Sequence, residues 1–257
     1  MSHKIDITEN GTTTLLTEGK YCDRNIEVNV NVESSGGTEI EDALIDGTLT
    51  GAYRNDRVTK VKQYGLAYTN LTSIDLPNVT TLRQRAISYN DNLTEVNLPK
   101  FAPPYNADTY LLGQNKALQS ISLPSATALP MYCLADNSAL VNIDMPLVRE
   151  INSYAFSYCT HLEEIEMPSV EMFGNCFSNC CSLKTIILPK NKLCRLVWSD
   201  PFYGCYHFLG TVSATYNPDG LKDGFVYVND DLVEEYRQAT NWAAYADRIK
   251  PISELEE

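Results

Sequence analysis

Three carboxylates in the middle of the chain have the spacing of a candidate catalytic pair or cation site. Glu164 and Glu166 alternate along one predicted strand, and Asp144 holds the matching position one repeat earlier. Paired carboxylates are the groups with which hydrolases cleave glycans, and carboxylate oxygens also bind Ca²⁺. Charged side chains on the outer side of a strand are, however, the ordinary state of a solvated surface. The sequence therefore favours a solvated acidic strip over a hydrolase or calcium site.

The eight cysteines are the second set of residues with possible chemistry. Cys176, Cys180 and Cys181 suggest a zinc site together with His161 and His207, but their spacing matches no C-x-x-C pair. Nucleophilic catalysis is also disfavoured, because the histidines lie in repeat turns or near the N-terminus. The sequence contains no phosphate-binding loop, dinucleotide fingerprint or H-E-x-x-H motif. We predict reduced core thiols, no metal, no cofactor and no enzymatic activity.

These residues belong to an array of repeats, which must position them. Six copies of L-x-x-[IV]-x-[LM]-P follow one another at separations of 22, 25, 22, 22 and 21 residues. The copies begin at Leu71, Leu93, Leu118, Leu140, Leu162 and Leu183. Alternate strand residues face opposite sides, so Ile143 and Met145 are expected to point inward and Asp144 outward. Proline then ends each strand, since it has no N–H to donate.

Two further apolar groups follow each strand and turn the chain back. In the fourth copy they are Val148 with Ile151, and Ala155 with Phe156. A coil of this length cannot bury its apolar groups alone, so neighbouring coils must stack to make a core. The sequence therefore predicts an α/β repeat solenoid that is rich in β-strands.

A column of Asn and Cys residues lies three positions before each new repeat. Its members are Asn90, Asn115, Asn137, Cys159, Cys180 and Cys205. A buried Asn at a coil corner can satisfy turn backbone groups of its own coil and the next, and Cys fits there as a small apolar residue with a weak donor. With its L-x-x-I-x-L-P and A-F-x-x-C motifs, the stretch 61–208 resembles the BspA-like branch of the leucine-rich-repeat family. Repeat two departs from the pattern at Phe101-Ala-Pro-Pro-Tyr105, where the stack is expected to bulge.

Outward-facing residues are the candidates for ligand binding. They comprise an acidic strip on the strands and a row of tyrosines about one coil apart: Asp75, Asp144, Glu164, Glu166, Tyr110, Tyr132 and Tyr154. Tyrosine offers contact area and a hydroxyl at low entropic cost, so a protein or sugar surface could be bound there. The alternative, that the rings stack on one another and seal the coil edge, is favoured.

The pattern also divides the chain into segments. A small β module is predicted at 1–33, a flexible linker at 34–40, a degenerate capping repeat at 41–70, leucine-rich repeats at 71–209 and a helical C-terminal cap at 210–257. Asn10-Gly11 is a tight-turn signal, and residues 26–32 alternate as a strand does. Trp242, Tyr245 and Ile249 are placed at helical spacing in the cap.

The net charge and the N-terminal segment indicate which classes of binding partner to expect. A net charge of −13 disfavours nucleic acid and anionic membranes, and no apolar run is long enough for membrane insertion. Residues 7–32 resemble the N-terminal module of phage and prophage tail-associated proteins from Gram-positive gut bacteria. This resemblance implies attachment to other tail proteins, and a module this small is also a candidate for homo-oligomerisation.

Two further expectations follow for location and role. The first residues lack a secretory signal, so synthesis in the bacterial cytoplasm and a place in the phage virion are expected, with the solenoid binding a protein or glycan on a Gram-positive cell. The alternatives are a bacterial surface adhesin that binds host extracellular protein, and a structural component of the particle.

Overall fold

The structure of the protein is a computed structural model that describes residues 5–9, 12–16, 31–32, 39–40, 49–190, 192–197 and 200–255. Several predicted segments lie wholly or partly outside these residues: the turn at Asn10-Gly11, residues 26–30 of the predicted strand, the linker residues 34–38, and residues 41–48 of the capping repeat. Strand β4 occupies residues 39–40, the last two positions of the predicted linker.

Three strands precede the repeats. Strands β1 (Ile5–Glu9) and β2 (Thr12–Leu16) pair antiparallel on either side of Asn10-Gly11. Strand β3 (Asn31–Val32) pairs antiparallel with β1. The hairpin lies where the turn signal predicts it.

From residue 39 onward the chain forms short strands. They are β4 (Glu39–Ile40), β5 (Thr50–Arg54), β6 (Lys60–Val61), β7 (Asn70–Asp75), β8 (Thr81–Leu82), β9 (Glu95–Asn97), β10 (Ser120–Ser122), β11 (Ala128–Leu129), β12 (Asn142–Asp144), β13 (Glu150–Ile151), β14 (Glu164–Glu166), β15 (Met172–Phe173), β16 (Thr185–Leu188), β17 (Arg195–Leu196), β18 (Phe225–Val228) and β19 (Ile249–Pro251). The helices are α1 (Tyr206–Leu209) and α2 (Val233–Gln238).

These strands form a parallel β-solenoid, which confirms the predicted fold class. One side, which we call the front face, carries β5, β7, β9, β10, β12, β14, β16, β18 and β19, about one strand per turn for nine turns. The second side, the side face, carries β4, β6, β8, β11, β13, β15 and β17. Strands in register bring the same repeat position of successive coils side by side, as with Ile121 opposite Ile143.

Each face is interrupted once within the described residues. The side face stops at β8 and resumes at β11, because residues 101–109 of repeat two, which is three residues longer than its neighbours, contain no strand. Phe101 is buried there, while Ala102 and Pro104 are exposed, which is the predicted irregularity. The front face stops at β12 and resumes at β14. The side face continues through β11, β13, β15 and β17 past this second break.

The core runs along the axis of the stack. Most residues of the three apolar groups in each coil are buried, including Val148, Ile151 and Phe156. Met145 is buried, and Ile143, although only half-buried, also packs against the core, so both point inward as predicted. Ile143 is nevertheless less covered than the equivalent residues of the other copies. The cause is the break beside β12, which leaves Ile143 without a covering strand on one side.

The C-terminal end closes the stack with strands as well as helices. Strands β18 and β19 extend the front face by pairing with β16 and with each other. Ile249 therefore lies in β19, not in the predicted helix, which ends in a 3-10 turn at residue 248. Trp242 and Tyr236 are buried against the last coils, where the Trp242 indole N–H donates to the Cys194 carbonyl at 2.7 Å.

Among the residues described, no helix has both the length and the apolar character needed to cross a membrane.

Candidate ligand-binding surface

The Asn column forms a hydrogen-bonded ladder that joins successive coils. The Asn115 side chain accepts from the Asn90 N–H and donates to the Ile87 carbonyl, both at 3.0 Å and both in the preceding coil. It also donates to the Leu112 carbonyl of its own coil at 2.9 Å. The side chain thus reaches back into the preceding coil, not forward into the next. The ladder begins at Thr69, whose N–H and hydroxyl both donate to Asn90 Oδ1, a start that lacks the Asn or Cys signal.

The cysteines of the column continue the same contacts with a thiol in place of an amide. Each thiol donates to the carbonyl three residues before the preceding rung: Cys159 to Leu134 at 3.4 Å, Cys180 to Phe156 at 3.1 Å and Cys205 to Phe177 at 3.0 Å. Burial raises the pKa of Cys133 to about 12, and it also raises the pKa values of these three thiols. Thiols held in the neutral form are poor nucleophiles and poor metal ligands.

All seven cysteines within the described residues are free and buried. Across the described ranges, no group of three or more His, Cys, Asp or Glu side chains is close enough to hold a metal ion. Cys194 and Cys181, which the repeat pattern leaves unassigned, have local roles. The Cys194 N–H donates to the Tyr236 hydroxyl at 2.8 Å, and Cys181 Sγ contacts the Asn179 carbonyl at 3.3 Å.

The residue just before each rung has a left-handed backbone. This column contains Tyr68, Tyr89, Gln114, Asp136, Tyr158, Asn179 and Gly204, with φ between 58° and 72°. A positive φ turns the chain sharply, so the rung side chain that follows is directed into the core. Gly204 adopts this conformation without strain, and Asn179 and Asp136 are of types that tolerate it, whereas the tyrosines and Gln114 are not.

A second left-handed column carries the predicted tyrosine row. Tyr110, Tyr132 and Tyr154 form one stack, with ring centroids 4.7 and 4.9 Å apart and planes within 6° and 9° of parallel. The Arg85 guanidinium lies 5.1 Å from the Tyr110 ring centre and caps the stack by a cation–π contact. The pKa of Tyr132 is raised, mainly by partial burial of its phenol and secondly by the neighbouring phenol of Tyr154. The rings seal the coil edge, while their rims stay partly exposed.

The acidic strip lies on the front face, but its members differ in their partners. Asp75 is bound by the Arg54 guanidinium and by the Asn97 side-chain amide at 2.9 Å. Asp144 accepts from the Ser122 hydroxyl at 2.8 Å. Glu164 and Glu166 are exposed on β14. Asp144 and the two glutamates lie together, whereas Asp75 is three strands away.

An open groove of about 720 Å³ lies at these three carboxylates. Its walls come from β10, β12 and β14, so it sits across the break in the front face. Val141, Ile143, His161 and Glu163 line it in addition to the strip, and the tyrosine stack does not. The groove is shallow, polar at its rim and apolar along Ile143.

Sequence reasoning missed the groove, although a signal for it exists. Val141 occupies the position that holds Thr72, Thr94, Gln119, Glu163 and Lys184 in the other copies. Leu147 occupies the position of Asn78, Lys100, Ser125, Ser169 and Lys190. Both are exposed. The fourth copy alone among the six is therefore apolar at two surface positions that are otherwise polar.

Comparison with known proteins identifies the repeats. A family model for the BspA type leucine rich repeat region matches residues 29–111 and 106–209, in six copies, which is well over half of the chain. The search of curated protein sequences found no match.

Three solved structures are similar to this one. A leucine-rich repeat protein from Bacteroides ovatus is 18% identical, with 89% of this chain and 70% of that chain covered and a TM-score of 0.50. A leucine rich repeat protein of T. pallidum is 22% identical over 57% of this chain and 59% of its own, with a TM-score of 0.39. A leucine rich cell surface protein from Faecalibacterium prausnitzii is 16% identical over 61% and 55%, with a TM-score of 0.35. The chain thus spans less than two thirds of two of these proteins, and the first likeness supports the fold alone.

Proposed function

The chain belongs to the BspA-type leucine-rich repeat family, and on that premise we propose that it is a non-enzymatic binding or adhesion protein. The observation that carries this proposal is the front face itself. Its strands present the same outward positions coil after coil, and these positions are polar from Ser73 to Glu166, with carboxylates on β7, β9, β12 and β14. Surfaces of this kind fit an extended macromolecular partner better than a small substrate.

The accessibility of the carboxylates also favours binding over catalysis. Asp144, Glu164 and Glu166 are exposed and line an open groove, so water is not excluded from them. Enzymes gain much of their rate from charges held in a site that excludes water. A hydrolase that used these carboxylates would lose its activity in Glu164→Gln, and we expect no glycan cleavage by the unsubstituted chain.

The finer proposal is that the solenoid recognises the surface of a Gram-positive cell from a phage or prophage tail. It is supported by the resemblance of residues 7–32 to tail-associated modules, and by the predicted linker that separates this module from the repeats. In the alternative proposal, the chain is a bacterial surface adhesin and the partner is a host extracellular protein. A structural role inside the particle is the third proposal.

Binding of labelled protein to intact Gram-positive cells, purified cell walls and immobilised extracellular matrix protein separates these proposals. The full chain and a fragment that starts at Thr38 are compared after circular dichroism has verified that both are folded. Equal binding of the two to cell walls supports recognition by the solenoid. Binding only to matrix protein supports the adhesin. If the protein binds none of the three, the adhesion proposal fails.

The attachment role of the N-terminal module has its own test. Particles are assembled with the full chain or with the fragment, and the protein content of purified particles is measured. Loss of the fragment from particles supports attachment through residues 1–33. Equal incorporation contradicts it.

A further inference from the structure

The front face lacks its strand pairing at one step, between β12 and β14. At the other steps, the residue that begins a strand donates its N–H to the preceding coil, as Asn142 does to Gln119 at 3.0 Å and Thr185 to Glu163 at 3.1 Å. The residue that follows a strand donates to the next coil, as Leu123 does to Asp144 at 2.8 Å. Within the described part of the chain, the corresponding bonds from Glu164 and Met145 are not formed.

The break is local, because the coils on either side of it stay joined. The His161 N–H donates to the Ser138 carbonyl at 3.0 Å just before the break, and the Glu171 N–H donates to the Arg149 carbonyl at 2.8 Å just after it. The side-face pair β13 and β15 is intact. The missing coil-to-coil bonds are those of the front-face strands, so β12 and β14 line the groove without pairing to each other. Unpaired edges of this kind accept an extended chain.

The groove carries negative charge on both of its walls. Asp144 lies on one side, and Glu163, Glu164 and Glu166 lie on the other. Among the described residues that line the groove, none is Lys or Arg, and His161 is the single basic side chain. Side chains of opposite charge are what such a groove complements.

Apolar surface accompanies the charge. Ile143 is half-buried at the floor, Val141 is 46% exposed in the lining, and Leu147 is 52% exposed after the same strand. These three residues come from one coil, next to the open edge. A ligand that carried charge alone would leave them in water, whereas a chain with alternating charged and apolar side chains would cover them.

We propose that this groove binds an extended segment of a partner protein in which lysine or arginine alternates with apolar residues. The basic side chains pair with Asp144 and the β14 glutamates, the apolar side chains cover Ile143 and Val141, and the segment's backbone bonds to the open strand edges. This inference rests on the proposed binding function and names the chemistry of the partner.

Fluorescence anisotropy of a labelled peptide that alternates lysine and valine, titrated with the full chain, tests the proposal. A peptide of the same length that alternates glutamate and valine is the probe control. We expect the lysine peptide to bind with an affinity that falls as salt is added, and the glutamate peptide not to bind. Removal of two charges in E164Q/E166Q should weaken binding about tenfold, as expected for the loss of two partly exposed charge pairs.

The matched control is D219N/E235Q, which removes the same charge from exposed residues near the C-terminal end, outside both the groove and the front-face strip. It should change affinity less than twofold. Val141→Thr, which introduces the residue found in two of the other copies, should weaken binding about threefold through lost apolar contact. Equal binding of the two peptides, or equal weakening by the two charge variants, would overturn the proposal.

The cell-binding assay shows whether the groove proposal or the proposed adhesion function has failed. If E164Q/E166Q binds cells or matrix protein as tightly as the parent chain, the groove proposal fails while the adhesion function stands. If the lysine peptide binds at the groove but neither surface is bound, the adhesion function fails while the groove proposal stands.

Discussion

Asn115 is fully buried, and its side chain joins three backbone groups that water cannot reach. The equivalent thiols make one of these bonds, to the carbonyl of the preceding coil. Asn and Cys are thus alternative solutions for one position, but they differ in how many buried groups they satisfy. A buried polar group without a partner costs about 1–3 kcal/mol, so the loss of an Asn rung is expected to be severe.

Asn115→Ala should lower the free energy of unfolding by about 3 kcal/mol, because the Asn90 N–H and the Ile87 carbonyl lose a buried partner. Urea unfolding followed by circular dichroism measures the change. The control Asn92→Ala removes an exposed side chain with one long contact, 3.4 Å, to Asn70. It should change stability by less than about 0.5 kcal/mol. A loss below about 1 kcal/mol for Asn115→Ala would show that the rung is dispensable.

The buried thiols make stability depend on pH on the alkaline side. Because burial raises the pKa of Cys133 to about 12, this thiol stays neutral in the folded chain while the unfolded thiol ionises near its ordinary value of about 8.5. The stabilisation is complete below the unfolded pKa and is lost as pH rises towards the folded one.

Between pH 7.5 and 9.5, Cys133 alone should account for a loss of about 1.4 kcal/mol of folding free energy. Urea unfolding under reducing conditions at both pH values measures this. In Cys133→Ala the fall in stability over the same interval should be smaller by that amount, whatever the variant's stability at pH 7.5. Equal falls for the two chains would mean that the folded thiol ionises as readily as the unfolded one.

At the scale of the element, much of the coil follows from sequence periodicity. The period of two fixes the strands, the proline ends them, and the rung column marks the corner. The break between β12 and β14 is different, since it depends on how two complete coils sit against each other. The apolar Val141 and Leu147 signal it only when the six copies are compared position by position.

The C-terminal end shows a second limit of periodicity. Trp242, Tyr245 and Ile249 have helical spacing, and Trp242 and Tyr245 do belong to a helical turn or its cap. Ile249 nevertheless pairs with Val226, because the front face offers a strand edge at β18. A long-range strand edge thus outweighs a local spacing that sequence alone reads as helix.

The left-handed backbone of the tyrosine stack predicts an unusual order of stability among substituted variants. Tyr132 has a φ of 58°, a backbone that glycine adopts without strain. Tyr132→Ala and Tyr132→Gly both lose two ring contacts, each worth about 0.5–1.5 kcal/mol. Only the glycine variant relieves the strain of the left-handed backbone, so it should be at least as stable as the alanine variant.

Thermal unfolding of the two variants measures this order, with Thr127→Ala and Thr127→Gly as the matched pair at an exposed residue outside both left-handed columns. At Thr127 the glycine variant should be the less stable of the two. The same order at both sites would contradict the role of the left-handed backbone.

At the scale of the whole molecule, stability is a sum of contacts between neighbouring coils, so the ends decide where unfolding starts. Trp242 closes the C-terminal end. Its ring lies 5.8 Å from Phe173 and 5.3 Å from Tyr236, in edge contacts, and is fully buried.

Trp242→Ala should therefore destabilise the last coils by about 3–5 kcal/mol, since a large buried ring and one hydrogen bond are lost. Hydrogen exchange read by mass spectrometry should accelerate in residues 183–209 and remain unchanged in residues 66–98. Val212→Ala, at a residue that is 69% exposed, is the control and should leave both segments unchanged. Uniform acceleration along the chain would mean that the solenoid unfolds as one cooperative unit.

The rungs have a consequence for how such a chain can change its length. Each coil offers its successor the same backbone carbonyl and brings one side chain for its predecessor, and Cys159 already follows Asn137 without a mismatch. Duplication or excision of one coil in a region of regular pairing thus leaves every rung with its acceptor. The irregular second repeat and the two coils that flank the groove lack this interchangeability. Evolution can therefore lengthen or shorten the solenoid by whole coils, while the two coils that form the groove are retained.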